Sequence, residues 1–486
     1  MNIHFSIHKF APLIALLLIL TGCDSTDDDP QPSAIGGTET VEGGRGTDVT
    51  VSVSLRSEVG IQSLSVSVNG GSAEALPVTP GNVNQAVDYP FSIPPDATVG
   101  TSYPIVFTMV DQDNVSTDFN AQVVVGTLID PPSTYSFTRE EASTVSYSGQ
   151  NDRLDQLEEI KAYLKLTEAG ESVSEQVLLD MFVNTGGNGG GSFPFTSDRQ
   201  LKDKTFAPDL DVRLFEDLFA RAEVASLAGS MGTQAENGTA GLIAREDKGS
   251  NILVDENGRE FTELIEKGLM GAVFYNQIYN TYLTDTRIGD TVENVTLSEG
   301  KNYTAMEHHM DEAFGYWNSP VDFSSEWPTE RASEDRFWSH YSNVVDNVRD
   351  GELGTNSIIM DAFIAARTAI VNNDPVERDA QVDVLYENLD LVAAAVAIHY
   401  INDTLGFLSE GKTGEAFHVL SEAWAFANAL RYSPRRILSL AEIEEIMESD
   451  FGADSNFWNA NAIGLNKAKA TLVTAYPALA SVQDDL

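Results

Sequence analysis

The sequence predicts a multidomain chain: an N-terminal β-sandwich followed by a mainly α helical-bundle domain. Three observations carry this. Between residues 35 and 127, apolar and polar residues alternate with period two, the repeat of a half-buried strand. Beyond residue 133 the apolar spacing changes to three and four, the repeat of an amphipathic helix. Between them, residues 126–133 (GTLIDPPS) form a Gly- and Pro-containing break. A length of 486 residues calls for more than one domain, and 42% apolar residues can fill sizeable cores.

The chain opens with Lys9 ahead of an apolar run from Phe10 to Leu20. That run is too short to cross a bilayer, and small residues follow it, so residues 1–22 are expected to be a secretory signal peptide. Cys23, the only cysteine, comes directly after Thr21-Gly22. No intrachain disulfide is available, and the mature fold must be held by burial alone. The stretch resembles the bacterial lipobox. That resemblance implies that Cys23 is acylated, becomes the mature N-terminus and anchors the chain in the bacterial cell envelope. The expected place is the outer membrane, on its periplasmic or surface face. Residues 23–34 are acidic and contain proline, which reads as a tether. Asp27-Asp28-Asp29 resembles the acidic export signals of some surface lipoproteins. A net charge of −45 argues against nucleic-acid or anionic-lipid partners and suits cations or saline surroundings.

The strand region, residues 35–127, contains the alternating runs 48–55, 61–69, 103–110 and 121–125, separated by Gly, Pro, Asn and Asp clusters. Its pattern resembles an immunoglobulin-like or cadherin-like spacer. Asp111-Gln112-Asp113-Asn114 offers oxygen ligands but too few for a calcium loop, so an Asx-rich turn is expected.

The helical domain is expected over 134–486, after a linker at 128–133. Candidate helices are 154–166, 173–183, 212–228, 261–283, 304–317, 332–348, 357–371, 376–408, 412–431 and 440–449, with no run of strands among them. A bundle of eight to ten helices follows. Residues 184–205 read as a flexible surface loop. Their glycines lack the Gly-Lys-Ser/Thr ending of a phosphate loop. Asp255-Glu256-Asn257-Gly258 reads as a turn.

Of seven histidines, His4 and His8 lie in the leader, leaving residues 308, 309, 340, 399 and 418. In three helices a histidine has a carboxylate one turn away: His309 with Glu312, His399 with Asp403, and His418 with Glu422. His308 is also one turn from Glu312 but points more outward. Such pairs can supply an imidazole and a carboxylate to one cation, and a bundle can aim them at a common centre. They can equally be core hydrogen bonds between helices. His340, near Asp335 and Arg336, reads as a surface or interhelix residue.

His309-Met310-Asp311-Glu312 followed by Ala313-Phe314-Gly315-Tyr316-Trp317 resembles the Gly-x-His-x-x-Glu helix of the imelysin family, with Glu307 in place of the family glycine. Residues 134–486 look like an uncharacterised bacterial lipoprotein domain related to imelysin, supported by 268–274 and 418–424. The resemblance implies a helical bundle, an envelope role in iron uptake, and His309 with Glu312 as metal ligands. Some relatives of that kind are described as metallopeptidases. Here no His-Glu-x-x-His occurs, and Ala313 stands where an inverted zinc motif has its second histidine. A Gly-x-Ser-x-Gly motif is absent too, so hydrolysis is disfavoured. The expectation is an envelope lipoprotein binding a divalent or ferric ion, iron or zinc. The alternatives are a metal-free scaffold with a protein or glycan partner, and a metallopeptidase.

Overall fold

The structure is a computed structural model that describes residues 32–486. The expected signal peptide, the lipidation site Cys23 and most of the acidic tether lie outside the described residues. An N-terminal β-sheet region spanning residues 34–125 precedes a mostly helical region.

The β region has eight strands: β1 Ala34–Gly37, β2 Thr40–Gly43, β3 Asp48–Arg56, β4 Ile61–Val68, β5 Glu74–Leu76, β6 Asn84–Ser92, β7 Ser102–Asp111 and β8 Ser116–Val125. They form two sheets, ordered β1-β3-β6 and β2-β8-β7-β4-β5. The alternation seen in the sequence becomes burial. Val51, Val53 and Leu55 of β3, Leu64 and Val66 of β4, and Ile105, Phe107 and Met109 of β7 are almost inaccessible, while the residues between them stay exposed or half-buried. Leu64 lies opposite Met109 and Val66 opposite Phe107, so one register sets a whole apolar face. Asp111 Oδ1 accepts hydrogen bonds from the backbone amides of Asp113 and Val115, forming the expected Asx turn.

The helical region carries twelve α-helices among the described residues: α1 Ser148–Leu164, α2 Glu175–Phe182, α3 Arg213–Ser230, α4 Phe261–Leu269, α5 Asp285–Ile288, α6 Ala305–Trp317, α7 Trp338–Asp346, α8 Thr355–Asn372, α9 Pro375–Glu410, α10 Thr413–Ala429, α11 Leu440–Glu445 and α12 Ala462–Ala475. The expectation of an uninterrupted helical run is corrected here. One short hairpin, β11 Gly241–Arg245 with β12 Ser250–Val254, falls between α3 and α4, and another, β9 Thr138–Arg139 with β10 Ala142–Ser143, precedes α1. Helix α12 carries no clear apolar stripe in the sequence: half of its apolar residues are alanines, and only Leu465, Ala468 and Leu472 are buried. The single helix expected over 261–283 continues past α4 only through π-helical turns at Met270–Tyr275 and Ile278–Tyr282. The Gly-rich stretch after α2 is hydrogen-bonded rather than loose. The Asn184 side chain donates to the carbonyls of Ser197 and Arg199 and accepts from the Gly189 amide.

Helix α9 is long and apolar enough to cross a bilayer. In the fold its stretch Val392–Ile398 is instead fully covered, with α8 and α10 packed along it. Helix α10 also packs on α4, and this pair builds the site described next. Gly258, in the turn before α4, has φ +83°, and a Cβ there would lie 2.6 Å from the Phe417 ring. Only glycine lets this turn press so closely on α10.

Candidate metal centre

Every residue of α4 is buried, yet the helix carries Glu263, Glu266 and Lys267, with Glu260 as its N-cap. Spacings of three and four put Glu260, Glu263 and Lys267 on one face. That face meets His418 and Glu422, one turn apart on α10. The Glu260 amide donates to Ser421 Oγ at 2.9 Å, fixing the start of α4 against α10.

His418 sits at the centre. Its Nδ1 lies 2.7 Å from Glu260 Oε2 and 3.9 Å from Glu263 Oε1, and its Nε2 lies 3.3 Å from Glu422 Oε1. One ligand atom from each of Glu260, Glu263 and His418 falls within 4.8 Å of the other two. Donors about 2.1 Å from a shared ion lie roughly 3 to 4.2 Å apart, so this trio matches a metal sphere after small side-chain shifts. Because Nδ1 faces the two α4 carboxylates, Nε2 is left for Glu422. A carboxylate that holds the far nitrogen of a metal-binding imidazole is the usual supporting partner of such a ligand. Glu422 is itself approached by the Tyr341 hydroxyl at 3.4 Å and hydrogen-bonded to Tyr400.

Cations balance these acids. Lys267 Nζ lies 3.0 Å from Glu263 and 2.6 Å from Glu266, and Lys161 Nζ lies 2.7 Å from the other Glu266 oxygen. Burial alone would raise the Glu263 carboxyl, but Lys267 and His418 hold it down at about 2. Burial raises Glu260 above the ordinary carboxylate range, and burial with the neighbouring Glu263 lifts Glu422 to about 7. Burial would lower the His418 imidazole. Glu260, Glu263 and Glu422 outweigh it and raise the group to about 9. At neutral pH the imidazole is therefore cationic and occupies the place where the carboxylates attract positive charge.

The other two histidine pairs do not join this centre. His309 Nδ1 lies 2.6 Å from the Arg287 carbonyl and its Nε2 3.3 Å from the Arg287 guanidinium, a poor surrounding for a metal ion. Glu312 accepts from Gln150 at 3.0 Å and Tyr282 at 3.1 Å. His399 stands 3.8 Å from Asp403 at the half-exposed rim of α9, not within its buried stretch. Glu307, where the imelysin pattern has glycine, closes a capping box with Thr304 and pairs with Arg139 and the wholly buried Arg367. Arg367 also holds Asp311 at 3.0 Å, and Tyr135 donates to the same oxygen at 2.9 Å. Burial lifts Asp311 to about 6 against the pull of Arg367. This buried charge network ties α6 to α8 and to the first hairpin.

A family model for a domain of unknown function, DUF4856, matches residues 132–476. The chain belongs to this family. No curated protein matches it. The matched span takes in α1 to α12 and both sides of the α4–α10 centre, so the centre lies wholly inside the DUF4856 domain.

Glu260, Glu263, Glu266 and Lys267 have no histidine within a helical turn along the chain, so histidine spacing does not mark them. A usable signal was present in the sequence. Residues 260–267 (EFTELIEK) place acids at i, i+3 and i+6 before an apolar run, and charges in a helix buried all round require partners.

Proposed function

We propose that this protein is a lipid-anchored cell-envelope protein whose DUF4856 domain binds a metal ion through Glu260, Glu263 and His418 Nδ1, with Glu422 orienting the imidazole. One observation carries the reading: three ligand atoms from two helices converge within 4.8 Å in a buried place. Two carboxylates and one imidazole form an oxygen-rich set that suits Fe²⁺, Fe³⁺, Mn²⁺ or Zn²⁺ over soft ions such as Cu⁺. The lipobox resemblance supplies the envelope location, and the imelysin resemblance favours iron and a role in its uptake. That resemblance would put the ligands at His309 and Glu312. We place the ion on α4 and α10 instead, because Arg287 crowds His309. Capture of the ion is favoured over peptide hydrolysis. All three ligands are largely buried, with Glu260 and Glu263 almost inaccessible, which leaves little room for a peptide at an open coordination position.

A metal-free scaffold is the second reading. The ion pairs of Lys267 with Glu263 and Glu266 favour it, because they compensate part of the acid cluster without any ion. Metal content of the purified mature chain separates the two. Capture gives about one tightly held iron, manganese or zinc per chain, lost in His418→Ala and in Glu263→Gln. A scaffold gives none, and no thermal shift when metals are added.

A further inference from the structure

Next to the buried centre lies a surface cleft of about 480 Å³ whose wall includes Glu266, Tyr341, Lys161, Asp335 and His340. Two of its cations are already paired. Arg336 holds Asp155 at 2.7 Å and Glu158 at 2.9 Å, and Lys161 holds Glu266. Asp335 differs. The residue is 5% exposed, and among the described residues no hydrogen-bond donor reaches either of its carboxylate oxygens. A buried carboxylate without donors is costly, and such groups persist where something else compensates them. His340 Nδ1 lies 3.5 Å from Oδ2, on a side chain that is half open to solvent. An unsatisfied carboxylate beside a reachable imidazole, in a cleft rich in acids, is a ligand pair for a divalent cation.

We propose that this cleft is an outer cation site, in which Asp335 and His340 take up a divalent metal ion on its way to the α4–α10 centre. The link is Glu266, which lines the cleft and shares Lys267 with Glu263 of the inner trio. Moving Lys267 and Glu266 together would open the step between the two sites. The relay half of this inference rests on the inner centre binding metal. The outer site does not.

The test uses the full mature chain and three variants: Asp335→Asn, His340→Ala and the inner-site variant His418→Ala. Mn²⁺ and Zn²⁺ stoichiometries are measured by equilibrium dialysis, and loading is followed by stopped flow against a chromogenic chelator. Thermal melts show that each variant folds, and His340→Ala alters only a half-exposed side chain. The expected result is two ions per wild-type chain, with one remaining in His418→Ala. Both cleft variants should lose the weaker ion and fill the inner site about tenfold more slowly or worse. A single ion whose amount and loading rate ignore Asp335→Asn and His340→Ala overturns the outer site while leaving the inner one intact. A single ion lost only in the cleft variants supports the outer site and refutes the inner centre. No bound ion at all overturns both.

Discussion

Metal binding at His418 must displace a proton, and the structure sets how much that costs. The imidazole is lifted to about 9 by Glu260, Glu263 and Glu422, against a burial effect in the other direction. At pH 7 an incoming ion therefore competes with a proton that leaves about one imidazole in a hundred free. Apparent affinity should climb about tenfold per pH unit between pH 7 and 9, close to 2.7 kcal/mol over the interval, and then level off. Titration calorimetry at pH 7.5 in two buffers of different ionisation heat counts the protons released. The count should be close to one per ion, the proton carried by His418. An affinity that does not change with pH, or a count of zero, would refute the view that the ion replaces the His418 proton.

The same titration acts on the metal-free fold. A histidine raised above its ordinary 6.5 stabilises the protein fully below that pH, and the contribution is lost as pH rises through about 9. The unfolding free energy of metal-free protein, from urea titrations, should thus fall between pH 6.5 and 9 by about 3 kcal/mol, and His418→Gln should flatten that slope. His309→Ala with Glu312→Ala should keep the bound metal, as read by elemental analysis, because Arg287 rather than an ion occupies that imidazole. Arg367→Ala should cost about 3 to 5 kcal/mol in chemical unfolding, since Asp311 and Glu307 lose a partner in a fully buried place. Gly414→Ala puts a Cβ 2.1 Å from the Ala244 carbonyl oxygen, and the overpacking should cost about 1 to 3 kcal/mol.

Periodicity made most of the architecture readable. The strands at 48–56 and 61–68 alternate with period two, whereas the helices at 355–372 and 375–410 are marked by long apolar stretches buried on most faces. What periodicity could not show is interruption. Gly241–Arg245 and Ser250–Val254 are five residues each, too short for a pattern to stand out between helices. The π-helical turns after Leu269 insert residues into a helix without disturbing its apolar character.

The candidate site was half readable for a related reason. His418 and Glu422 are neighbours along one helix, so local spacing reveals them. Glu260 and Glu263 lie more than 150 residues earlier and reach His418 only because α4 packs on α10. Local spacing also marked His309 with Glu312 and His399 with Asp403. Whether such a pair meets further ligands depends on the helix facing it, and for His309 that neighbour is Arg287.

The central claim is that an ion sits between α4 and α10. Anomalous diffraction from crystals of the mature chain grown with Mn²⁺, recorded at the manganese edge, tests it most directly. A peak is expected about 2.1 Å from His418 Nδ1 and close to Glu260 and Glu263. A peak at His309 and Glu312, or no peak at the α4–α10 centre under saturating metal, would contradict it.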